Sequence, residues 1–478
     1  MADSPASGIQ LAQQRRDHRA IERVPTAVAA FVGRTLKGPV DQAVTIRSFS
    51  EFQQHFGGLW QPSSLAYAVE QFFENGGRAA CIVRVANGAR PPTLTLPAGR
   101  GALHLTALNP GSREYLRASV DYDGVTASEQ ERFNLVVQRV RAAGSELVED
   151  QEIYRRLSVA RASGRFVADV LLESRLVRVL GDVPVHRPDR SASGPGGVVI
   201  GYTLSNPDGD DGAPLTDYDV IGAAGSGTGL FALGGAAGFN LLCIPPLARD
   251  RDVGLSTLLV AARLCREHHG LLIVDPPAAW TSARAALEGL RTWPFRSCPH
   301  WPDLVRARLA AAGVNTLLAV RTGARNVISP RTLAGGGSGA SEWKYLSARR
   351  LALFVAASVE QGTRWVPLEH NGPSTWKRAQ TQVESFLDEL AAQGAFAAAA
   401  AEESHFVIAD ERVNRPETLA EGKFNLLFGF ATSKPGEFDT WLVTQRAGAS
   451  RVRPVSVNRS ATSKQRVEWE IETSILRG

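Results

Sequence analysis

Apolar runs alternate with amphipathic segments over residues 25–88. The mostly apolar runs at 27–32 and 81–85 are long enough to be buried strands. Between them, apolar residues recur every third or fourth position after Ser48 or Ser50 and again over 65–75. This spacing predicts two helices, the second closed by the glycines that follow it. Strands alternating with helices indicate a layered α/β domain.

The pattern changes between residues 89 and 214. Alternating runs such as LRASVDYDG and FNLVVQRV are separated by clusters rich in glycine and proline, such as RSASGPGG and NPDGDDGAP. Short two-faced segments joined by turns are typical of antiparallel sheets. We therefore predict a mainly β insertion over 89–214.

The α/β pattern returns after residue 215. Two apolar runs, FNLLCIPP and GLLIVDPP, flank a helix predicted over 253–268, which is the pattern of a parallel βαβ unit. Later spacing predicts helices over 376–393 and 435–445. We predict a layered, largely parallel-sheet core domain formed by the N- and C-terminal parts of the chain, 25–88 and 215–451. The insertion lies between these parts, and extended arms, 1–24 and 452–478, flank them.

The two arms have patterns of their own. Residues 1–24 are polar, contain several arginines and glutamines, and show no core-forming period, so they predict an arm, with a disordered tail as the alternative. In RVEWEIETSILRG, Val467, Trp469 and Ile471 alternate with glutamates, which predicts a two-faced strand. Such a strand pairs either within its own chain or with a neighbour, since free strand edges are usually covered.

Composition indicates a well-folded protein of two or three domains. The chain has 478 residues, of which 44% are hydrophobic and 21% charged, so a sizeable core can form. The formal net charge of +5 is spread along the chain, which gives little support to nucleic-acid binding. No long apolar run predicts a membrane span or a signal peptide, so we expect synthesis in the cytoplasm and no direct membrane insertion. The widely spaced cysteines favour buried free thiols.

Several segments approach a catalytic or ligand-binding motif without completing one. The glycine-rich segments 222–235 and 335–341 lack the Gly-Lys-Ser/Thr of a phosphate loop. The acidic turn NPDGDDG lacks the terminal glutamate and helices of a calcium loop. Asp275, after an apolar run, is the one acid in the position of a catalytic residue. We predict no catalytic, cofactor or metal residues; an α/β hydrolase or nucleotide-binding enzyme remains the alternative.

Residues 331–371 carry the strongest motif of the chain. They contain, in order, RTL, W-x-Y, RRL and G-T-R-W-x-x-x-E-x-N. This phrase resembles the core of contractile tail sheath proteins, a family found in phage tails, R-type bacteriocins and related injection systems. The residues of this family core motif are Arg331, Trp343, Tyr345, Arg349, Arg350, Arg364, Trp365, Glu369 and Asn371.

Other segments match the same family. They include N-P-G-S at 109–112, F-N-L-L-x-I-P at 239–245 and L-I-V-D-P-P at 272–277. One segment departs from it: CPHWPDLVRAR stands where many sheath proteins have a P-P-S-G motif. This departure favours a specialised or minor sheath paralogue.

The resemblance implies a structural role rather than catalysis. Family subunits stack as hexameric discs around an inner tube, and their terminal arms add strands to sheets on neighbouring subunits. Contraction drives the tube through a target envelope. The implied partners are further copies of the chain, the inner tube protein, baseplate and terminal cap proteins, and other sheath paralogues. The implied location is a phage tail or a released extracellular particle. A scaffold that does not contract is a further alternative.

The resemblance also suggests roles for residues near both ends. The inter-subunit arm residues are Val467, Trp469, Ile471, Arg15 and Arg16. The segment 434–438 matches the family's K-P-x-E-F phrase and begins the predicted helix 435–445, which would face the tube. The tube-facing residues are Lys434, Glu437, Trp441, Arg446, Arg451 and Arg453. Phe438 and Trp441 are alternatively core residues, and Arg349, Arg350 and Arg364 are better explained as buried or interface ion-pair formers than as ligand binders.

Overall fold

The computed structural model divides the chain into two compact units. It describes residues 20–191, 201–292 except 237 and 249, 345–455 except 399, and the short stretches 315, 317–319, 325–327 and 332. The first unit is Ala27–Ala279, and the second combines the residues before and after this range. The sequence pattern groups 215–451 with 25–88. The structure groups them differently, because the first unit's central sheet ends with the strand at 271–273, and the later strands build a sheet of their own.

The first unit contains twelve named strands and five helices. The strands are β1 Val28–Gly33, β2 Ala43–Ile46, β3 Ala79–Arg84, β4 Thr93–Ala98, β5 Gly101–Ala107, β6 Tyr115–Asp121, β7 Arg132–Val140, β8 Val148–Ser158, β9 Val177–Val179, β10 Thr203–Leu204, β11 Leu241–Cys243 and β12 Leu271–Ile273. The helices are α1 Phe49–Phe56, α2 Leu65–Glu74, α3 Val167–Val170, α4 Asp217–Ile221 and α5 Leu255–Glu267, with 3-10 turns at Leu171–Glu173 and Gly229–Gly235.

A mixed five-stranded sheet forms the centre of this unit. Its order is β12-β11-β1-β3-β2, and every neighbouring pair is parallel except β2 with β3. The strands come from both sides of the insertion, since Ala30 of β1 pairs with Cys81 of β3 and with Leu242 of β11. The apolar runs that predicted buried strands are therefore the middle strands of this sheet.

Helices pack on both faces of the central sheet. On one face, Phe31 packs with the residues of α1 and α2 such as Phe52 and Leu65. On the other face, Val32 packs with Leu264 of α5 and with the 3-10 turn at Gly229–Gly235. Alternate residues of β1 thus enter opposite cores, as the period of a strand requires.

The insertion folds as two antiparallel sheets around one core. The sheets have the orders β4-β5-β9 and β10-β6-β7-β8. Leu103, Leu116, Phe133 and Leu157 are fully or almost fully buried between them. The mainly β character follows from the alternation of buried and outward residues along these strands.

Charged and polar side chains join the insertion to the central sheet's loops. Lys37 forms an ion pair with Glu149, and both side chains are mostly buried. Arg84, which is 1% exposed, donates from Nη1 to the carbonyl of Pro110 at 2.8 Å. Arg34, which follows β1, donates to the backbone carbonyls of Asp211 and Gly212, at 2.8 and 2.7 Å. The acidic turn NPDGDDG therefore supplies hydrogen-bond acceptors that fasten the insertion.

The second unit contains, among its described residues, a two-stranded and a four-stranded antiparallel sheet. Its strands are β13 Leu317–Ala319, β14 Arg325–Val327, β15 His405–Ile408, β16 Phe424–Phe430, β17 Asp439–Arg446 and β18 Ala449–Pro454. Its helices are α6 Ala283–Thr292, α7 Leu346–Gly362, α8 Pro373–Ala392, α9 Ala401–Ser404 and α10 Pro416–Ala420, with a 3-10 turn at Val366–Leu368.

The long helices α7 and α8 lie against the sheet of order β15-β16-β17-β18. The predicted helix 376–393 is confirmed as α8, although it begins earlier because Pro373 fits the first helical position. Gln445 of β17 donates to the carbonyl of Glu360 at 2.8 Å and to Thr363 Oγ1 at 2.9 Å, joining the end of α7 to the sheet.

The predicted helix 435–445 is wrong. Residues Asp439–Arg446 form β17, which pairs with β16 on one side and β18 on the other. Gly436, at a φ of 74°, makes a turn before the strand. The sheet is buried on both faces here, so the apolar run DTWLV does not alternate between apolar and polar residues. Without that alternation, the spacing of Phe438, Trp441 and Leu442 also fits one face of a helix.

The position of Trp441 predicts a large cost for its truncation. Trp441 is 2% exposed, so Trp441→Ala should lower the free energy of unfolding by about 3–5 kcal/mol, through lost burial and a cavity. Arg446→Ala, at the exposed end of the same strand, should change it by less than about 0.5 kcal/mol. Urea denaturation of the two variants measures the difference, and equal values would contradict the buried position.

Candidate functional site

The two arginines of the RRL phrase lie in the first turns of α7 and serve different neighbours. Burial lowers the pKa of Arg349, and the carboxylate of Asp439, at the start of β17, acts in the opposite direction. Arg350 donates from Nη2 to the backbone carbonyl of Thr26 at 2.9 Å. One arginine thus interacts electrostatically with the sheet, and the other binds the chain segment that precedes β1.

The G-T-R-W segment ends α7 and connects it to α8. Thr363 is fully buried, and its hydroxyl donates to the carbonyl of Val359 at 2.8 Å. The indole of Trp365 donates to Gln382 Oε1 at 2.9 Å, and the guanidinium of Arg378 lies 4.9 Å from the centre of the same ring. These contacts hold the turn against α8.

Arg364 is an exposed member of this segment. Its guanidinium lies 3.8 Å from a carboxylate oxygen of Glu360, one turn earlier on α7. The Glu360 side chain is 11% exposed, whereas that of Arg364 is 62% exposed, so the guanidinium stays largely in solvent above a mostly buried carboxylate.

The last two motif residues hold the start of α8. Glu369 accepts two hydrogen bonds from Arg378, at 2.5 and 3.1 Å. Asn371 accepts from the indole of Trp376 at 2.7 Å and donates to the carbonyl of Lys423 at 2.9 Å. The described motif residues therefore brace the helix pair, and Asn371 connects it to the turn before β16. Tyr345, exposed, precedes the first residue of α7; Arg331 and Trp343 lie outside the described residues.

The three arginines predicted to face a tube lie on one face of the β17–β18 hairpin. Arg446 pairs with Ala449, Thr444 with Arg451, and Leu442 with Arg453. Directly paired residues share a face, and so do residues two apart on a strand, which places all three arginines together. Burial, followed by the neighbouring Arg451, lowers the pKa of Arg453. The hairpin therefore presents a cluster of positive charge.

The other predicted tube-facing residues are arranged differently. Lys434 and Glu437 are paired with each other at 3.1 Å in the turn before β17. Trp441 is buried, so the prediction that it faces a tube is wrong: its side chain packs inside the unit. Phe438 packs against Phe406 with the rings perpendicular, so it contributes to the core, as the alternative interpretation expects. Arg15, Arg16, Val467, Trp469 and Ile471 lie outside the described residues.

Two strands of the second unit's sheet are at its edges. Among the described residues, β15 is paired only with β16, and β18 only with β17. All four residues of β15 have buried side chains. An edge strand with buried side chains still has backbone groups that a further strand could bind.

The residues that hold the N-terminal segment have no recognisable pattern in the sequence. Ile21 is 6% exposed and packs against Gly362 at the end of α7. The backbone N–H of Val24 donates to the hydroxyl of Ser358 at 3.3 Å. Gly362 is part of the G-T-R-W motif, and this was the one sign in the sequence that the position matters. Its partner, Ile21, is too remote in the sequence to be inferred from it.

The carboxyl ends of the parallel strands are where an α/β enzyme would bind its ligand. Arg34, after β1, donates to the backbone carbonyls of Asp211 and Gly212 at 2.8 and 2.7 Å. In the glycine-rich segment 222–235, the N–H of Gly229 donates to the carboxylate of Asp41 at 2.7 Å. A phosphate bound by this segment would need backbone N–H donors, and this one is already used by Asp41. Burial raises the pKa of Asp275. Within the described ranges, no cluster of three or more His, Cys, Asp or Glu side chains could hold a metal.

Solved structures share this arrangement of strands and helices. A sheath tail protein from Listeria innocua superposes with a TM-score of 0.56 and 13% sequence identity, over 88% of this chain and 95% of that one. The fold is that of a sheath tail protein. This agrees with the resemblance carried by residues 331–371 and confirms a mixed α/β fold with several sheets.

Two further structures are similar at lower scores. A sheath tail protein from Desulfitobacterium hafniense gives a TM-score of 0.48 at 10% identity, covering 95% of this chain and 99% of that chain. The contracted helical sheath of the anti-feeding prophage gives 0.44 at 15% identity, covering 91% and 98%. No protein-family model and no curated protein matches the sequence.

The motif of residues 331–371 has a structural position in this chain. Its described residues lie at the junction of α7, α8 and the sheet, where they fix helices rather than enclose a ligand. None of the described helices is both long enough and apolar enough to cross a lipid bilayer.

Proposed function

We propose that the chain is a structural subunit of the contractile sheath around the inner tube of a phage-tail-like injection particle. The observation that carries this proposal is the fold shared with a sheath tail protein over 88% of the chain. The motif of residues 331–371 supports it independently, because an ordered phrase of this length is poorly explained by chance. The subunit acts by assembly and has no catalytic role.

Subunits are linked by their terminal arms. The arms, residues 1–24 and 467–475, add strands to the sheet of a neighbouring copy. The edges of the second unit's sheet, β15 and β18, support this step because neither has a second strand partner among the described residues. Strand addition joins subunits through backbone hydrogen bonds while leaving their bodies free to rotate. The copies stack as hexameric discs in a helical sheath.

The arginine face of the β17–β18 hairpin contacts the inner tube. Arg446, Arg451 and Arg453 share one face there. Exposed charge pairs contribute little each, so a contact with acidic tube residues would hold the extended sheath and still release on contraction. Lys434 and Glu437, paired with each other in the turn before β17, are assigned to the same contact by the family's K-P-x-E-F phrase.

The complete particle requires other components. A baseplate and a terminal cap protein close the ends of the sheath, and the departure at CPHWPDLVRAR favours a specialised or minor paralogue that assembles with other sheath proteins. The particle is assembled in the bacterial cytoplasm and functions as a phage tail or after release. Contraction drives the tube through a target envelope.

The purified full-length chain should form hollow tubes with a cogwheel cross-section, which negative-stain electron microscopy would detect. The contracted form gains contacts between bodies and needs no other component to be stable. A hydrolase or nucleotide-binding enzyme would instead give a discrete small particle whose melting temperature rises with ligand. Small particles that remain so after mixing with a sheath paralogue would overturn the proposal.

Deletion of residues 467–478 should leave a folded chain that does not form tubes, because the linking strand is lost while the described core is intact. Circular dichroism measures folding, and sedimentation measures assembly. A useful control replaces Glu468, Glu470 and Glu472 with Gln, which keeps the strand pattern. Tubes formed by the deletion variant would exclude this segment as the link.

Charge reversal of Arg446, Arg451 and Arg453 to Glu should abolish co-assembly with the tube protein while sparing tubes of sheath alone. The reason is that the proposed tube contact is electrostatic, whereas the proposed link between subunits is made through backbone hydrogen bonds. Reversal of the exposed Arg100, Arg113 and Arg161 on the insertion changes the net charge equally and is the matched control. Co-sedimentation with the tube protein at low salt provides the measurement. Equal loss in both variants would show a general charge effect.

A further inference from the structure

The segment before β1 lies along one stripe of α7. The backbone carbonyl of Thr26 accepts from Arg350 at 2.9 Å, and the N–H of Val24 donates to Ser358 at 3.3 Å. Further back in the segment, Ile21 packs on Gly362, at the end of the helix. The segment therefore runs antiparallel to α7.

The helix residues involved are spaced in multiples of four. Arg350, Ser358 and Gly362 lie on one face of α7, since residues four apart in a helix are neighbours. The face provides a guanidinium, a fully buried hydroxyl and a gap without a side chain. It matches the carbonyl, the N–H and the side chain that the segment presents.

The glycine at position 362 is required by the side chain of Ile21 and not by the backbone conformation. A Cβ added to Gly362 would lie 2.8 Å from Cγ1 and 3.0 Å from Cγ2 of Ile21. The backbone φ of Gly362, the last residue of α7, is not in the positive range, so its conformation does not require glycine. Glycine weakens a helix, so its presence here is accounted for by the side chain that fills its place.

Helix α8 contributes a second set of contacts. Arg23 donates to Glu389 Oε1 at 2.7 Å and to Gln393 Oε1 at 3.0 Å. Arg350, Ser358, Gly362, Glu389 and Gln393 together form what we call the arm seat. It holds residues 21–26 against both long helices of the second unit.

We propose that the arm seat fixes where the N-terminal arm leaves the subunit, and that linkage to a second copy of the chain depends on it. This rests on the proposed sheath function. An arm whose base is held in place loses less conformational freedom when it binds a neighbour, so it binds more tightly than a free tail. Ile21 is the positioning residue, since its side chain fills the gap at Gly362.

The first measurement is trypsin cleavage between Arg23 and Val24 in the full-length chain before polymerisation, followed by mass spectrometry. Gly362→Ala forces Ile21 out, and Ile21→Ala removes the anchor without a clash. Each should speed cleavage at this bond by about tenfold or more, because cleavage requires local release of the segment. The variant that combines both substitutions should be cleaved more slowly than Gly362→Ala alone, because the shortened side chain at position 21 leaves room for the new Cβ.

The second measurement is the fraction of chain in tubes at equal concentration. We expect it to fall in both single variants, and to recover in part in the double variant. Gly234→Ala is the matched control, because a Cβ there meets nothing within 4 Å. Melting temperatures measured alongside show whether a variant merely unfolds.

The outcomes separate the arm seat from the sheath function. Wild-type cleavage rates in both single variants would show that the segment is not held as described, and the proposal fails. Fast cleavage with wild-type tube formation would show that linkage does not depend on the arm seat, which also overturns it. Absence of tubes from the wild-type chain, alone and with a paralogue, would overturn the sheath function, while the cleavage rates would still test the contacts.

Discussion

The pairing of β1 with strands from two distant parts of the chain is the constraint on which the first unit depends. Ala29 pairs with Ala80 on one side and with Leu241 on the other, and the N–H of Val28 also donates to the side chain of Asn240 at 3.2 Å. Parallel pairs need a crossover, so the sheet closes only after the whole insertion has been traversed. Contacts so remote in sequence are slow to form. The insertion must therefore fold without preventing β11 from reaching β1.

In the second unit, hydrogen bonds from buried polar side chains fix the positions of the helices relative to the sheet. Apolar packing alone would leave these positions undetermined. Gln445 connects the sheet to α7, and Asn371 connects the start of α8 to the turn before β16. Asn414 and Asn425 form a further pair of bonds, with the N–H of Asn425 donating to Asn414 Oδ1 at 2.7 Å. Fully satisfied buried polar groups favour one arrangement over its competitors, because a shifted register would leave them unpaired. The proposed role as a repeating sheath subunit would benefit from a single, well-defined arrangement of this kind.

The sequence predicted elements well where one pattern dominated. Continuous apolar runs gave the central strands, and the long amphipathic spacing gave α8, with an error only at its start. It failed at β17, because a strand buried on both faces lacks the alternation that separates strands from helices. For the candidate site, the ordered phrase picked out residues that the structure, where it describes them, places around α7, α8 and the sheet, yet their contacts could not be inferred. Local patterns do not report that Ile21 fills the gap at Gly362, since that fit exists only after the chain has folded.

The insertion begins and ends side by side. The N–H of Ala213 donates to the carbonyl of Asn87 at 2.9 Å, and Arg90 and Asp210 exchange two backbone bonds at 3.0 and 2.9 Å. A domain whose two ends meet in this way can be exchanged for a larger or smaller one with no change to the length of either core segment. Evolution could thus alter this domain while preserving the central sheet. Such exchange has one chemical condition: the charges of Lys37 and Arg84, now covered by the insertion, would have to be replaced or given new partners.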